Sequence, residues 1–229
     1  MATIGLIVPA AGRGERLGAG VPKALLPLAG EPLLVHAVRG ALASRVVSVV
    51  AVAAPVDHVD EVRGLLAGEV ASLLVVAGGA DRRQSVARAL AALPPDVDTV
   101  LIHDAARCLT PPSVFAAVAG ALAHGAEAAV PAIPLADTVK QVEHETVVGT
   151  PDRHTLRAVQ TPQGFRRYVL ERAHATASGA VTDDAGLVEQ LGHRVAVVAG
   201  HEEAFKVTRP IDLVLAEAIL ARRASAGAR

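Results

Sequence analysis

Short apolar runs alternate with helical patterns along nearly the whole chain. That alternation restricts the fold to an α/β architecture, a mostly parallel sheet flanked by helices. Residues 3–8 read as the first strand. Helices are expected over 32–43, 57–67, 82–92 and 111–124, with strands over 46–53, 73–76, 99–102 and 127–131. The order resumes with helices at 165–176 and 183–191, a strand at 194–199 and a closing helix at 210–224, beyond which the tail should fray. Alanine and valine dominate the apolar residues, which suits helices packed closely on a buried parallel sheet. The 229 residues can bury one substantial core, and no repeat or linker divides them, so a single domain over 1–229 is expected.

The pattern breaks between residues 134 and 164. There 137–142 and 146–148 read as two short strands joined through Glu143-His144-Glu145. Polar alternation suits a two-sided ribbon, so a protruding β-hairpin arm of about 134–157 is expected. An isolated hairpin is only marginally stable in water and would gain by packing on a partner subunit.

Between the first strand and the first helix lies a long loop. It reads Val8-Pro9-Ala10-Ala11-Gly12-Arg13-Gly14-Glu15-Arg16-Leu17 and runs on to Pro22-Lys23. Its glycines let the backbone approach a ligand closely. Successive N–H groups in such a turn form an anion-binding concavity, to which Arg16 and Lys23 add full charges. A polyphosphate is the simplest ligand. The dinucleotide fingerprint fails, because Leu17 stands at its third glycine and no acid ends the second strand. The P-loop fails as well, because Lys23 follows proline and precedes Ala24, with no hydroxyl placed for magnesium.

Three further segments each follow a strand's C-terminal end, the edge where open parallel sheets bind ligands. They are Gly78-Gly79-Ala80-Asp81-Arg82 with Ser85, His103-Asp104-Ala105-Ala106-Arg107, and Lys206-Val207-Thr208-Arg209-Pro210. Partners of other kinds are disfavoured. A net charge of −1 gives no basic field for nucleic acid, and 2% aromatics give no stacking surface for single strands. The N-terminal apolar run stops at Pro9, too soon for a signal peptide, and no run approaches the roughly 20 residues of a membrane span. The single cysteine, Cys108, cannot form an internal disulfide. A cytoplasmic protein is expected. The nine histidines show no metal-ligand spacing.

Taken together, the chain resembles the 2-C-methyl-D-erythritol 4-phosphate cytidylyltransferases, the IspD family. The resemblance is carried by Ala10-Ala11-Gly12-x-Gly14-x-Arg16 with Pro22-Lys23, Gly78-Gly79 with Ser85, and His103-Asp104-Ala105-Ala106-Arg107. Asp137-Thr138-x-Lys140, Thr161-Pro162-Gln163, Thr182-Asp183-Asp184-Ala185 and Lys206-Val207-Thr208-Arg209-Pro210 continue it in family order. It implies a Rossmann-like fold of the nucleotide-diphospho-sugar transferase type. It implies transfer of CMP from CTP to methylerythritol phosphate with release of pyrophosphate, in non-mevalonate isoprenoid biosynthesis. Arg16 and Lys23 are the implied catalytic cations. Nucleotide contacts fall on Pro9, Ala10, Ala11, Gly12, Arg13, Gly14, Gly78, Gly79, Asp81, Ser85, Asp104 and Ala105, and polyol phosphate contacts on Arg107, Thr138, Arg153, Thr182 and Lys206. Mg2+ or another divalent cation would ride mainly on the CTP phosphates, with Asp104 the nearest candidate carboxylate. The arm carrying Thr138 and Arg153 implies a homodimer with shared sites.

The chain departs from the family pattern at Cys108, where proline is common, and at Ala80, Ala136 and Ala204, where polar residues are common. Other readings stay open at this point. The same loops serve a ribitol 5-phosphate cytidylyltransferase, and a CTP-sensing domain without turnover would share them too, although sensing needs no charge at the α-phosphate. Asp104 could simply cap its turn, and Thr182-Asp183-Asp184 is also a good helix start. No fused cyclase domain is expected, because the sequence ends soon after the closing helix.

Overall fold

The computed structural model describes residues 3–12, 21–176 and 182–227. The chain opens with β1 (Thr3–Pro9). A 3-10 turn at Lys23–Leu25 and the small antiparallel pair β2 (Pro27–Leu28) and β3 (Glu31–Pro32) lead into α1 (Leu33–Ala43). Next come β4 (Val49–Ala54), α2 (Val59–Leu66), β5 (Leu73–Ala77), α3 (Arg82–Ala92), β6 (Val97–Ile102), α4 (Pro112–Ala123) and β7 (Ala128–Pro134). The hairpin strands β8 (Gln141–Glu143) and β9 (Thr146–Gly149) precede β10 (Arg157–Val159), β11 (Gln163–Arg166) and α5 (Arg167–Thr176). The chain closes with α6 (Asp184–Gln190), β12 (Val195–Ala199) and α7 (Pro210–Gly227).

β1 pairs in parallel with β4 and β6, β4 with β5, and β12 with β7. β11 lies antiparallel between β6 and β7 and so joins the two parallel portions into one mixed, mostly parallel sheet. Successive strand side chains point to opposite faces. Leu6 and Val8 therefore enter one core with Leu34 and Val38 of α1, Val62 of α2 and Phe115 of α4. Ile7 enters the other, with Val86 and Leu90 of α3, Leu170 of α5 and Leu187 of α6. All six residues of β4 are buried, as a central strand covered by helices on both faces requires. A third cluster packs α7 through Ala216 onto Leu26, Leu28 and Leu33.

The sequence pattern misses β10 and β11. Phe165 and Arg166, expected in a helix, instead end β11, because Phe165 pairs with Val100 on one side and Ala128 on the other. Gly164 lets this strand pass closely under α4. A Cβ there would stand 2.5 Å from Val118 and 2.8 Å from Leu122. Gly164→Ala is expected to cost about 1–3 kcal/mol by overpacking, read as a lower urea midpoint at unchanged slope. The closing helix runs on to Gly227 rather than fraying after residue 223, and Arg223 Nη2 there donates to the Leu109 carbonyl at 2.7 Å.

The first hairpin strand begins at Gln141, later than the expected 137. His144 and Glu145 form the two-residue turn with φ of 46° and 62°, the left-handed pair of a type I′ hairpin. Neither is glycine, so this turn carries backbone strain. The hairpin leaves Val142, Val147 and Val148 exposed.

Candidate functional site

Because β1, β4, β5 and β6 run in the same direction, the loops after all four open at one edge of the sheet. A cleft of about 920 Å³ lies there, floored by residues 9–12, 55–58, 78–82 and 104–106, with Lys23 and Lys206 at its sides. Two of the loops touch. Ala10 N–H donates to the Ala53 carbonyl at 2.8 Å and Gly78 N–H to the Ala54 carbonyl at 2.7 Å, which brings both chains against the end of β4. A Cβ on Gly78 would stand 2.3 Å from that of Ala11, so glycine is required for this approach.

Gly79 N–H donates to Ser85 Oγ at 3.0 Å, and that hydroxyl donates to the Asp81 carbonyl at 2.8 Å. The Asp81 carboxylate caps α3 by accepting from Gln84 N–H at 2.7 Å. Ser85 and Asp81 thus line the cleft while shaping the loop that Gly78 and Gly79 present.

Asp104 is the electrostatic centre. Its Oδ2 accepts from Lys206 Nζ at 2.6 Å, its Oδ1 lies 3.5 Å from Arg82 Nη2, and its N–H donates to Thr161 Oγ1 at 3.1 Å. Burial pushes this carboxyl up, but Arg82, Lys206 and Arg107 outweigh burial and hold it down at about 2. Arg82 Nη1 in turn donates to Asp184 Oδ2 at 2.5 Å. Asp184 is almost wholly buried, and its other oxygen lies 3.0 Å from His174 Nε2. Burial opposes its charge as well, yet His174 and Arg82 hold its carboxyl below the usual range.

His103 is fully buried, with Nδ1 2.9 Å from Thr161 Oγ1 and its ring tilted against Phe115. Burial is the main cause that pushes it down to about 4, so it supports the Asp104 turn as a neutral ring. Cys108 is buried beyond that turn and its thiol is pushed up to about 12, which removes it as a nucleophile.

Of the residues anticipated from sequence, Pro9, Ala10, Ala11, Gly12, Lys23, Gly78, Gly79, Asp81, Ser85, Asp104, Ala105 and Lys206 all line the cleft. Arg13, Gly14 and Arg16 lie outside the described residues. Four of the polyol-side candidates stand apart from the lining. Arg107 donates to the Ala204 carbonyl at 2.7 Å and the Val159 carbonyl at 3.2 Å, clamping the loop that carries Lys206. Arg153 donates to the Ala136 carbonyl at 2.7 Å at the base of the arm, where Thr138 is exposed. Thr182 is exposed just before Asp183, the cap of α6, which accepts from Gly186 N–H.

Sequence reasoning placed Arg82 in a ligand-edge segment but gave it no role, since its partner Asp184 lies 102 residues further on, and it missed the far wall at Pro55 to His58. The signal for Arg82 was its place directly after Asp81 at a strand's end. Among the described residues no cluster of three or more His, Cys, Asp or Glu could hold a metal. Asp104, held ionised in the cleft, is the donor there whose chemistry fits a divalent ion.

Comparison with known proteins adds the following. The family model for 2-C-methyl-D-erythritol 4-phosphate cytidylyltransferase, IspD, matches residues 4–222. A curated protein of that name from Streptomyces avermitilis is 59% identical over 228 residues, covering 95% of this chain and 91% of the relative. One of the same name from Frankia casuarinae is 59% identical over 220 residues, covering 96% and 82%. The crystal structure of the Thermus thermophilus protein of that name is 37% identical, with a TM-score of 0.76 over 96% of this chain and 98% of its own. A 4-diphosphocytidyl-2C-methyl-D-erythritol synthase from Anaerococcus prevotii is 26% identical, with a TM-score of 0.85 over 96% and 99%.

Proposed function

The chain belongs to the 2-C-methyl-D-erythritol 4-phosphate cytidylyltransferase (IspD) family, and from that premise we propose how its residues divide the work. The enzyme transfers CMP from CTP to 2-C-methyl-D-erythritol 4-phosphate, giving 4-diphosphocytidyl-2-C-methyl-D-erythritol and pyrophosphate. A phosphate oxygen of the polyol attacks the α-phosphorus of CTP in line with the departing pyrophosphate. No covalent intermediate on the protein is needed, so positioning and charge compensation supply the rate.

The single observation that carries the division of roles is the convergence of Lys23, Asp104 and Lys206 on one cleft from three distant segments. Lys23, with Arg16, offsets charge gathering on the α-phosphate and the leaving group. Residues 9–12 and the Gly78–Gly79 turn hold the nucleotide through backbone groups. Lys206 takes the polyol's phosphate, and Asp104 faces its hydroxyls or the ribose. Asp104 is the carboxylate that would face a divalent cation such as Mg2+, which would supply charge neutralisation for the triphosphate. The substrates are water-soluble phosphates, which fits a cytoplasmic enzyme, and among the described residues no helix is long and apolar enough to cross a membrane.

The exposed valines of the hairpin support a homodimer in which the arm brings Thr138 and Arg153 to the neighbour's cleft. Mixing inactive Lys23→Ala with inactive Arg153→Ala subunits should then give activity that neither shows alone, and continued inactivity of reassembled dimers would rule out shared sites. For substrate choice, pyrophosphate release is measured with CTP and either methylerythritol phosphate or ribitol 5-phosphate. Strong preference for the former is expected, and preference for the latter overturns the assignment.

A further inference from the structure

We infer that Arg82 is a positioning residue for this reaction: gripped from behind by buried Asp184, it fixes the Asp104 carboxylate in the cleft. The inference rests on the reading that Asp104 faces the substrates, and it adds a residue which that reading does not use.

Asp104 meets two cations, one at each oxygen, and they are anchored differently. Lys206 reaches Oδ2 at 2.6 Å from the open side of the cleft, with its side chain 42% exposed. An ammonium on a four-carbon stem is free to turn toward another anion. Arg82 approaches Oδ1 at 3.5 Å while its other terminal nitrogen donates to Asp184 at 2.5 Å. Asp184 cannot yield, because only 2% of its side chain is exposed and its second oxygen is 3.0 Å from His174. Both ends of this bridge sit on capped helix starts. Asp81 caps α3 directly before Arg82, and Asp183 caps α6 directly before Asp184.

The planar guanidinium fork is suited to this geometry, since it presents separate N–H groups to two carboxylates at once. When a substrate phosphate draws Lys206 away, Arg82 stays and keeps Asp104 ionised and aimed. Nucleotide affinity is spread over the loops at residues 9–12 and 78–79 as well as Asp104, so loss of the anchorage should lower turnover more than CTP affinity.

The test is steady-state kinetics on folded enzyme. Arg82→Gln should lower kcat on the order of 10²-fold, the scale of a catalytic group displaced by about 1 Å, while KM for CTP changes less than about threefold. Arg82→Lys keeps the charge and should recover part of the loss. Because Arg82→Gln leaves buried Asp184 with His174 as its remaining partner, the double variant Arg82→Gln/Asp184→Asn is made beside it. An amide pair there removes the buried negative charge and should restore the thermal midpoint without restoring kcat. A purely structural role would instead return kcat with stability, and native kcat in the folded double variant overturns the inference. Asp104→Asn separates the two levels. Native turnover there sinks the reading of Asp104 itself, whereas impaired Asp104→Asn beside native Arg82→Gln sinks only the role given to Arg82.

Discussion

Lys23→Ala is expected to lower kcat by about 10²–10³-fold, about 2.7–4 kcal/mol in the barrier, with the fold retained. The magnitude is that of removing one preorganised donor aimed at developing charge. Lys23 suits the task because of what precedes and follows it. Pro22 fixes the entry to the 3-10 turn, and Ala24 and Leu26, both buried, carry the packing of the segment. Lys23 lines the cleft beside residues that are themselves buried, so truncation should leave the packing of the segment in place. Pyrophosphate release at saturating substrates gives kcat, and the thermal midpoint controls for folding. Near-native kcat in this variant would falsify the assignment of Lys23 to the chemistry.

Acidification is expected to remove on the order of 5 kcal/mol of stability in two consecutive steps, comparable to the whole stability of many domains. His103 ionises near 6.5 in an unfolded chain but only near about 4 when buried beside Phe115. Between those values the unfolded state binds more protons, so stability is complete above pH 6.5 and falls by on the order of 3 kcal/mol down to pH 4. Asp104 follows. Its carboxyl is held at about 2 against 3.8 unfolded, so its contribution is present above pH 3.8 and is lost toward pH 2, on the order of 2 kcal/mol. Urea midpoints between pH 7 and pH 4 read the first step directly. His103→Gln, whose amide oxygen can still accept from Thr161, should flatten that window, and a flat profile in the unmodified protein would remove His103 as the cause.

The parallel part of the fold was legible because β1, β4, β5, β6 and β7 are mostly apolar and a helical pattern, in places with a start signal, lies between them. Asp81 before α3 and Pro111-Pro112 at the start of α4 are such signals. β10 and β11 were not legible, since residues 157–166 hold few apolar side chains and gain their pairing from β6 and β7 far along the chain. The cleft was legible for a related reason: its loops follow strands, and their glycines and charges stand close together in sequence. What escaped depends on long-range partners. Nothing local shows that Arg107 will spend its donors on the Ala204 and Val159 carbonyls rather than on a ligand. Nothing local to residue 82 announces an acid at residue 184 either. Charge and spacing identify a phosphate-handling edge; which cation meets which acid is decided by tertiary packing.

The 2.3 Å that would separate a Cβ on Gly78 from that of Ala11 bears on any attempt to retune the enzyme for another nucleobase. With Gly78 already packed against the Ala11 side chain on the floor of the cleft, neither loop can be thickened alone, nor the floor reshaped one position at a time. A redesign aimed at purines must move both segments together, away from the end of β4, in a single concerted change.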